Sequence, residues 1–313
     1  MSVANSTSPI NKSKINMLTN AEIQIEKLSN TVGKKIINAG NISLLELNLE
    51  EIANLFKSYG VLLFRGFETD VDTFAKFSNS LSTDFIDYTG GVFNRKMINE
   101  EPTILTVTDF MYEVKLHGEM YYTKNPPLMI WFFCANPPSQ DGETIVCDGK
   151  QFYHEFSSSI KDLLMRNKLK FSGTLSKEDW QKKYKTNDFN LVKEACKSDG
   201  MEVEINEDKS IYRQFITPAI YKSRVGQDYV FINSLLAAKH INPETVCFAD
   251  DSEITDDIVS ELNEIAERIS IEISWQKGDI LMIDNTRIMH GRRAFDDPQR
   301  NIYIRMCSPS FPF

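Results

Sequence analysis

The feature that most restricts the fold is the segment from Leu128 to Cys134, which is the most apolar run in the chain. It is short and rich in aromatic side chains, as strands are, and Pro137-Pro138 follows as a strong stop signal. We therefore interpret it as the central strand of a sheet. A second mostly apolar run, Val61–Phe67, predicts a strand that is covered on both faces.

Short strand patterns separated by turn residues dominate the middle and the end of the chain. Further predicted strands are Gly142–Asp148, Ile211–Phe215, Tyr229–Asn233, Ser270–Trp275 and Ile280–Ile283. No repeat of solenoid or propeller length is present. Many short strands with interspersed turns favour a β-sandwich or a double-sheet jelly roll. The fold class that we predict is mainly β with flanking helices (α+β).

Helical patterns lie at the start of the chain and between strands. Residues Leu49–Tyr59 show the spacing of an amphipathic helix, with Gly60 at its C-cap. Asp70 and Asp148 are predicted N-caps of two more helices, the second beginning near Gln151. Helical pieces are also expected around residues 158–168 and 188–197, and the clearest helix starts at Thr255. Residues 86–105 are expected to be irregular, with a turn at residues 89–91.

Composition limits the broad class of protein. The 313 residues are 42% apolar, and the net charge of -9 argues against a nucleic-acid partner. We expect a flexible tail over residues 1–20 and a single domain over 21–313, with a lid-like insertion around 160–210. No stretch predicts a signal peptide or a membrane span, and five scattered cysteines fit a cytoplasmic setting. The sequence does not predict the oligomeric state.

Candidate metal ligands begin with His117-Gly118-Glu119. Alternate residues of a strand share one face, so the imidazole and the carboxylate can point at one spot. His290 stands beside a glycine at the end of another strand pattern and is the candidate third ligand. The remaining histidines, His154 and His240, are expected to be structural or to face solvent. By itself an H-x-E triplet occurs often by chance, so the distal residues decide its meaning.

The residues around His290 form a more specific pattern than the H-x-E triplet does. The segment Trp275–Asn285 leads to His290-Gly291-Arg292, and Arg300 follows ten residues after the histidine. Together with the block 116–122, these residues resemble the Fe(II)- and 2-oxoglutarate-dependent dioxygenases of the taurine-dioxygenase superfamily. Within it they resemble the branch of clavaminate-synthase-like enzymes and amino-acid hydroxylases, in which glutamate supplies the carboxylate. The resemblance covers roughly residues 49–306 and implies a double-stranded β-helix (jelly-roll, cupin-like) core.

The resemblance also implies roles for single residues. His117, Glu119 and His290 would bind Fe(II) as a facial triad, leaving positions for 2-oxoglutarate and O2. Arg300 would pair with the far carboxylate of 2-oxoglutarate, assisted by Thr144. Arg305 competes for the role of Arg300 and is otherwise a candidate ligand for a substrate carboxylate, with Tyr122 as another candidate substrate contact. Arg292 and Arg293 are expected to pair with acidic neighbours such as Asp296 and Asp297.

The predicted activity is hydroxylation of an unactivated C–H bond in a small amino acid or related carboxylate, free or presented on a carrier protein, with release of succinate and CO2. Desaturation, epoxidation and cyclisation begin with the same cofactor chemistry and stay open. Because Glu119 occupies the position that halogenases leave to chloride, halogenation is disfavoured. A non-catalytic cupin-like binding protein would not need Arg300. A zinc hydrolase would be expected to show an HExxH helix, which is absent from the sequence. Substrate choice is assigned to residues 86–115, 120–127 and 160–235.

Overall fold

A computed structural model describes residues 14–86, 95–107, 110–224 and 226–312. Residues 1–13 of the predicted tail and the predicted turn at Thr89-Gly90-Gly91 lie outside the described residues. In the described part of the chain there are eight α-helices and nineteen β-strands.

The helices are α1 Leu49–Tyr59, α2 Val71–Leu81, α3 Gly149–Glu155, α4 Ser158–Arg166, α5 Lys177–Tyr184, α6 Phe189–Ser198, α7 Leu235–Ile241 and α8 Asp256–Ile269. The strands are β1 Ile23–Lys27, β2 Lys34–Asn38, β3 Val61–Arg65, β4 Ser82–Thr83, β5 Met97–Ile98, β6 Glu101–Thr106, β7 Val114–His117, β8 Met129–Asn136, β9 Thr144–Asp148, β10 Lys168–Leu175, β11 Glu202–Ile205, β12 Ile211–Pro218, β13 Tyr221–Lys222, β14 Tyr229–Val230, β15 Val246–Phe248, β16 Ile271–Ile273, β17 Ile280–Asp284, β18 Ile288–Arg292 and β19 Asn301–Pro309. Two 3-10 turns span Leu44–Glu46 and Pro243–Thr245.

The predicted helix ends are confirmed. Asn48 accepts the N–H groups of the first turn of α1, and Gly60 ends that helix with φ 71° in the left-handed region. Asp70 accepts the N–H of Thr73 at 2.7 Å at the start of α2, and Asp148 caps α3. The C-terminal end of α1 determines where β3 begins, and the N-terminal end of α3 determines where β9 ends. Strand β9 carries Thr144, a predicted site residue.

The larger sheet contains nine strands in the order β1-β2-β3-β17-β8-β19-β6-β5, with β4 also pairing with β19. Strands β2 and β3 are parallel, whereas the other pairs in this sheet are antiparallel. The most apolar segment of the sequence forms β8, which lies between β17 and β19. Its prediction as a central strand is therefore confirmed.

The smaller sheet has four antiparallel strands in the order β16-β9-β18-β7. One apolar core joins the two sheets: Phe132 and Ile304 of the larger sheet and Val146 and Ile288 of the smaller sheet belong to the same buried cluster. Two sheets that enclose one core in this way form a jelly roll. The predicted fold class, a mainly β jelly roll with flanking helices, is confirmed.

Helices cover the outer faces of both sheets. Side chains of α1 and α2, among them Phe56 and Phe77, pack with Trp131 against the larger sheet. Behind the smaller sheet, Cys147 and Met289 pack with residues of α3, α4, α7 and α8. This leaves the inner faces of the two sheets to form the site. No helix among the described residues is long and apolar enough to cross a membrane.

Most of residues 160–210 join strands β12 and β15 in a lobe beside the jelly roll. A separate four-stranded sheet, β11-β12-β10-β15, is covered by α5 and α6, whose Trp180 and Val192 make a small core of their own. The helical pieces expected near 158–168 and 188–197 are confirmed by α4 and α6, whereas β10 and α5 were not predicted. The α5 segment has few apolar residues to mark a buried face, whereas β10 begins with an alternation of polar and apolar residues, Lys168–Phe171, that indicates a strand.

Two other sequence expectations differ from the structure. Strands β5 and β6 lie in the stretch 86–105 that we expected to be irregular. The predicted tail extends to residue 20, but Met17 is buried in the core and Ile15 forms a bridge with Leu47. The body of the protein therefore includes residues before position 21.

Candidate active site

Two strands of the smaller sheet bring the predicted metal ligands together. The register of β18 against β7 places His290 opposite His117, and Glu119 lies two residues beyond His117. Glu119 Oε2 is 3.7 Å from His117 Nε2 and 3.5 Å from His290 Nε2. One ligand atom from each of the three residues lies within 4.8 Å of the others. The three side chains can therefore hold one metal ion.

Asn285, which follows β17, fixes the backbone of Glu119. Its side-chain oxygen accepts the Glu119 N–H at 2.8 Å, and its amide donates to the Glu119 carbonyl at 3.1 Å and to that of Pro127 at 2.7 Å. The Tyr121 hydroxyl donates to the Asn285 carbonyl at 3.0 Å. Because Asn285 is fully buried, these bonds form away from water and hold the backbone of Glu119 in one position, from which its carboxylate reaches the two histidines. Asn285 ends the segment Trp275–Asn285, whose sequence does not indicate this role.

Gly118, between the two ligands, is needed for close packing. Its N–H donates to the Asn233 carbonyl at 2.8 Å, and its carbonyl accepts from the Ser234 hydroxyl at 3.0 Å. A β-carbon at this position would lie 2.5 Å from the ring of Tyr121. The turn from His117 to Glu119 therefore tolerates only glycine at its centre.

Hydrogen bonding and burial favour the metal-binding forms of the ligands. His117 Nδ1 lies 2.9 Å from the Lys115 carbonyl, which can only accept, so the proton resides on Nδ1 and Nε2 presents a lone pair. Burial and the neighbouring His117 lower the pKa of His290 to about 4, so its ring is neutral at pH 7. Burial alone would raise the pKa of Glu119, but Arg95 and the two histidines hold it well below the ordinary value.

Arg95 is a site residue that sequence reasoning missed. Its guanidinium donates to Glu119 Oε1 at 3.3 Å, whereas Glu119 Oε2 faces both histidines. The two carboxylate oxygens therefore have different neighbours, one cationic and one on the metal side. Arg95 lies in the stretch expected to be irregular, and no motif identified it.

The triad opens into a cavity between the two sheets. Its wall also includes Arg95, Thr144, Arg292 and Arg300, together with the apolar side chains Phe110, Phe132 and Ile304. Across the smaller sheet, Thr144 is paired with Arg292 on one side of β18, and His117 is paired with His290 on the other side. Arg300 contacts Gly142 at the Thr144 end. The triad and the predicted 2-oxoglutarate residues therefore share one cavity.

Arg300 is buried with unused hydrogen-bonding capacity. Its Nε donates to the Gly142 carbonyl at 3.1 Å, and its guanidinium lies over the Phe295 ring at 4.9 Å. In the described part of the chain, Nη1 is buried without a hydrogen-bond partner. Burial and the nearby Arg292 lower the pKa of Arg300 to about 9. A buried cation in this state is suited to bind an anion that enters the cavity.

Arg293 pairs with acidic side chains as expected, although not with Asp296 or Asp297, whereas the expectation is wrong for Arg292. Arg292 lines the cavity and donates to the carbonyls of Val107, Phe110 and Tyr112 at 2.7–2.8 Å. Arg293 binds Glu267 and Glu272, both at 2.8 Å. Arg292 is the last residue of β18, and Arg293 is the next residue. Because consecutive residues of a strand face opposite sides, Arg292 points between the sheets and Arg293 points outward.

Arg305 and Tyr122, the predicted substrate contacts, are not brought to the cavity. Arg305 lies on the opposite face of β19, where it donates to Ser78 Oγ at 2.6 Å, Asn79 Oδ1 at 2.9 Å and Thr103 Oγ1 at 2.7 Å. Its neighbour Ile304 points into the cavity, and alternate residues of a strand face opposite sides.

Tyr122 and the two remaining histidines, His154 and His240, also lie outside the cavity wall. Tyr122 is half-buried and packs against the apolar cluster behind the smaller sheet. His154 and His240 are exposed, as expected.

The residues present fit the groups that the sequence resemblance implies. Two imidazoles and a carboxylate match the ligand set of non-haem Fe(II) oxygenases. The unpartnered Arg300 Nη1 matches the far carboxylate of a dicarboxylic 2-oxo acid.

Comparisons with known proteins agree with this fit. Residues 24–307 match the family model described as taurine catabolism dioxygenase TauD, TfdA family. The chain is 27% identical over 270 residues to a clavaminate synthase-like protein of Arabidopsis thaliana, covering 79% of this chain and 81% of that protein. It is 21% identical over 284 residues to the dapdiamide synthesis protein DdaC of Enterobacter agglomerans, covering 83% of this chain and 86% of DdaC.

A solved structure shares the fold. The crystal structure of PvcB from Pseudomonas aeruginosa aligns with a TM-score of 0.63 at 13% identity, covering 93% of this chain and 92% of PvcB. Because the family model spans most of the chain, including both histidines and Glu119, the assignment does not depend on one motif. The chain belongs to the TauD/TfdA family and is an Fe(II)- and 2-oxoglutarate-dependent dioxygenase.

Proposed function

We propose that this dioxygenase hydroxylates an unactivated C–H bond of a small amino acid or related carboxylate and releases succinate and CO2. In this proposal His117, Glu119 and His290 hold Fe(II), and Arg300 and Thr144 bind the far carboxylate of 2-oxoglutarate. One observation supports it above all: the three potential ligands and a buried arginine with an unpartnered nitrogen line the same cavity.

The chain's own residues prepare the site before any ligand binds. Asn285 and Arg95 orient the Glu119 carboxylate, and the Lys115 carbonyl orients the His117 ring. Phe132 and Ile304 form an apolar wall that limits access of water to the metal position. When bound, Fe(II) with 2-oxoglutarate supplies the oxidising power, and the protein directs it to one C–H bond.

The charge of the cavity wall supports an acidic substrate. Three arginines, Arg95, Arg292 and Arg300, line it together with one carboxylate, that of Glu119. Even after 2-oxoglutarate takes up part of this positive charge, the wall favours a substrate that carries a carboxylate. DdaC is named for dapdiamide synthesis, and PvcB is described as an Fe, alpha-ketoglutarate dependent oxygenase from an isonitrile synthetic pathway. We infer a similar biosynthetic setting, with a substrate that is either free or bound to a carrier protein.

All five cysteines are free, which supports a cytoplasmic location.

Anaerobic spectroscopy tests the cofactor assignment. Addition of Fe(II) and 2-oxoglutarate is expected to produce a weak visible charge-transfer band, and the His290→Ala variant is expected to lack both the band and 2-oxoglutarate turnover. The matched control is His240→Ala, because His240 is exposed and outside the cavity wall. Absence of the band from the wild-type protein at saturating ligand would contradict the proposal.

Substrate screening tests the reaction. Free amino acids and carrier-bound acyl groups are compared for stimulated release of succinate, and the products are weighed by mass spectrometry. A gain of one oxygen atom indicates hydroxylation or epoxidation, whereas loss of two hydrogens indicates desaturation or ring closure. A band without turnover for any member of the screen would contradict the proposed substrate class.

A further inference from the structure

The Thr144 hydroxyl is held by an indole ring that has no assigned function. Trp275 Nε1 lies 3.1 Å from Thr144 Oγ1, and both side chains are buried. Trp275 follows β16, whose last residue, Ile273, is paired with Thr144 in the smaller sheet. The contact is therefore fixed by backbone pairing as well as by packing.

The direction of this hydrogen bond follows from the chemistry of its two groups. An indole N–H can only donate, so the Thr144 oxygen must accept. The hydroxyl hydrogen of Thr144 is then free to be donated to another acceptor. We find none for it within the part of the chain that the structure describes, and Thr144 lines the cavity. The indole thus makes Thr144 a donor toward the cavity.

A second donor is available at the same end of the cavity. Arg300 Nε is bound to the carbonyl of Gly142, two residues before Thr144, while Arg300 Nη1 is buried without a described partner. A hydroxyl donor and a guanidinium donor on one wall suit the two oxygens of a carboxylate. A group without acceptor atoms would leave both donors unsatisfied, at a cost in free energy, and a neutral acceptor would lack the charge that strengthens the bond to the guanidinium.

We propose that Trp275 is a positioning residue for 2-oxoglutarate: its indole N–H fixes the Thr144 hydroxyl as a donor to the far carboxylate of the cosubstrate. This inference rests on the proposed function, in which Thr144 and Arg300 bind that carboxylate. The indole acts through Thr144 and does not itself touch the cosubstrate. Its loss should therefore matter for 2-oxoglutarate and not for a 2-oxo acid that lacks a far carboxylate.

Calorimetric binding to the Zn(II)-loaded protein tests this. Trp275→Phe keeps an aromatic ring and removes the N–H, and we expect it to weaken 2-oxoglutarate binding about 5- to 10-fold. Thr144→Val removes the hydroxyl and is expected to have an equal or larger effect. Because the indole acts through the hydroxyl, the double variant should bind no more weakly than Thr144→Val alone. Binding of pyruvate, which has no far carboxylate, should be the same in all variants.

The control substitution is Trp180→Phe. Trp180 also donates its indole N–H, to the Lys209 carbonyl at 2.8 Å, but it lies in the added lobe. This variant is expected to bind 2-oxoglutarate as the wild type does. If Trp275→Phe weakens binding of pyruvate and 2-oxoglutarate equally, or if its effect multiplies with that of Thr144→Val, the residue acts by packing and the inference is wrong.

A measurement on the wild-type protein avoids dependence on a folded variant. The chain has three tryptophans and hence three indole N–H signals in a nitrogen-15 NMR spectrum. The Trp275 signal is expected to shift when 2-oxoglutarate binds, while those of Trp131 and Trp180 stay in place. An unchanged Trp275 signal at saturation overturns the inference and leaves the proposed function intact. If the wild-type protein does not bind 2-oxoglutarate at all, the proposed function itself fails.

Discussion

Two arginines five residues apart provide a matched pair for testing the site. Arg300 and Arg305 are both 2% exposed. Arg305 is bonded to Ser78, Asn79 and Thr103, whereas Arg300 Nη1 is buried without a described partner. We predict that Arg300→Met stabilises the ligand-free protein but reduces its stabilisation by 2-oxoglutarate. Arg305→Met should destabilise the ligand-free protein and leave the stabilisation by 2-oxoglutarate unchanged.

The magnitude follows from the burial of Arg300. A pKa of about 9 instead of 12.5 corresponds to a cost on the order of 5 kcal/mol for the charged form at neutral pH. Replacement by methionine removes this cost but leaves the Gly142 carbonyl without its donor, about 1–3 kcal/mol, and loses the cation–π contact with Phe295, about 1 kcal/mol. The net gain is about 1–3 kcal/mol, or a rise in Tm of about 2–5 °C.

Thermal unfolding with and without 2-oxoglutarate is the assay, with the metal-loaded protein kept anaerobic. At a thousand times Kd, 2-oxoglutarate should stabilise the wild type by about 4 kcal/mol. Loss of the charge-assisted bonds weakens binding by about 1.5–3 kcal/mol, so that Arg300→Met retains about 1–2.5 kcal/mol of this stabilisation at the same concentration. Arg305→Met should lower Tm, because it leaves several buried groups unpaired, but should keep the full shift.

The opposite pattern would refute this reasoning. If 2-oxoglutarate raises the Tm of Arg300→Met as much as that of the wild type, then Arg300 does not bind the cosubstrate. If the ligand-free Arg300→Met variant unfolds at a lower temperature, like Arg305→Met, then its guanidinium has partners that compensate for burial. A loss of the shift in Arg305→Met alone would transfer the 2-oxoglutarate role to Arg305.

Three further predictions concern the metal ligands. Asn285→Ala should lower the free energy of unfolding by about 3 kcal/mol, since three hydrogen bonds are lost, and should weaken Co(II) binding measured by visible absorption because Glu119 loses its backbone support. The pKa of His290 lies at about 4 in the folded protein and near 6.5 when unfolded, so the unfolded state binds more protons between these values and stability falls as pH falls. Denaturant unfolding of the metal-free protein should show a loss of about 2 kcal/mol from pH 6.5 to pH 5 that is absent from His290→Gln. Gly291→Ala would place a β-carbon 2.5 Å from the Val114 carbonyl, so it should lower the free energy of unfolding by about 1–3 kcal/mol and weaken Co(II) binding. If neither the stability nor the Co(II) affinity of this variant changes, β7 and β18 can move apart to accommodate the methyl group.

Much of the framework could be predicted because local patterns determine it. The amphipathic spacing of α1, its glycine C-cap and the aspartate caps of α2 and α3 depend on neighbouring residues, and all appear in the structure. The grouping of His117, Glu119 and His290 followed from the family resemblance. The expectation that His117 and Glu119 alternate on one strand is wrong, because β7 ends at His117 and Glu119 lies in the turn beyond it. These inferences need only the residues near each element and a motif with fixed spacing.

The residues that orient the triad could not be predicted in the same way. Asn285 contacts Glu119 across 166 positions of the chain, and the chemistry of an asparagine at a strand end gives no hint of its partner. Arg95 stands in a segment without apolar periodicity, so its approach to Glu119 depends on tertiary structure. Neither residue has a local signal, and both could be found only from the folded chain.

The choice between Arg300 and Arg305 shows where strand reasoning stops. Residues 302, 304 and 306 of β19 face the core between the sheets, while residues 303 and 307 face the helices. Period two then assigns position 305 to the helix side, and position 300, although it precedes a register shift, to the cavity side. A spacing of five thus requires the two arginines to point in opposite directions. The sequence therefore predicts that the two arginines face opposite sides, but it does not show which of them faces the cavity. A strand that is apolar on both faces does not reveal which face meets the cavity.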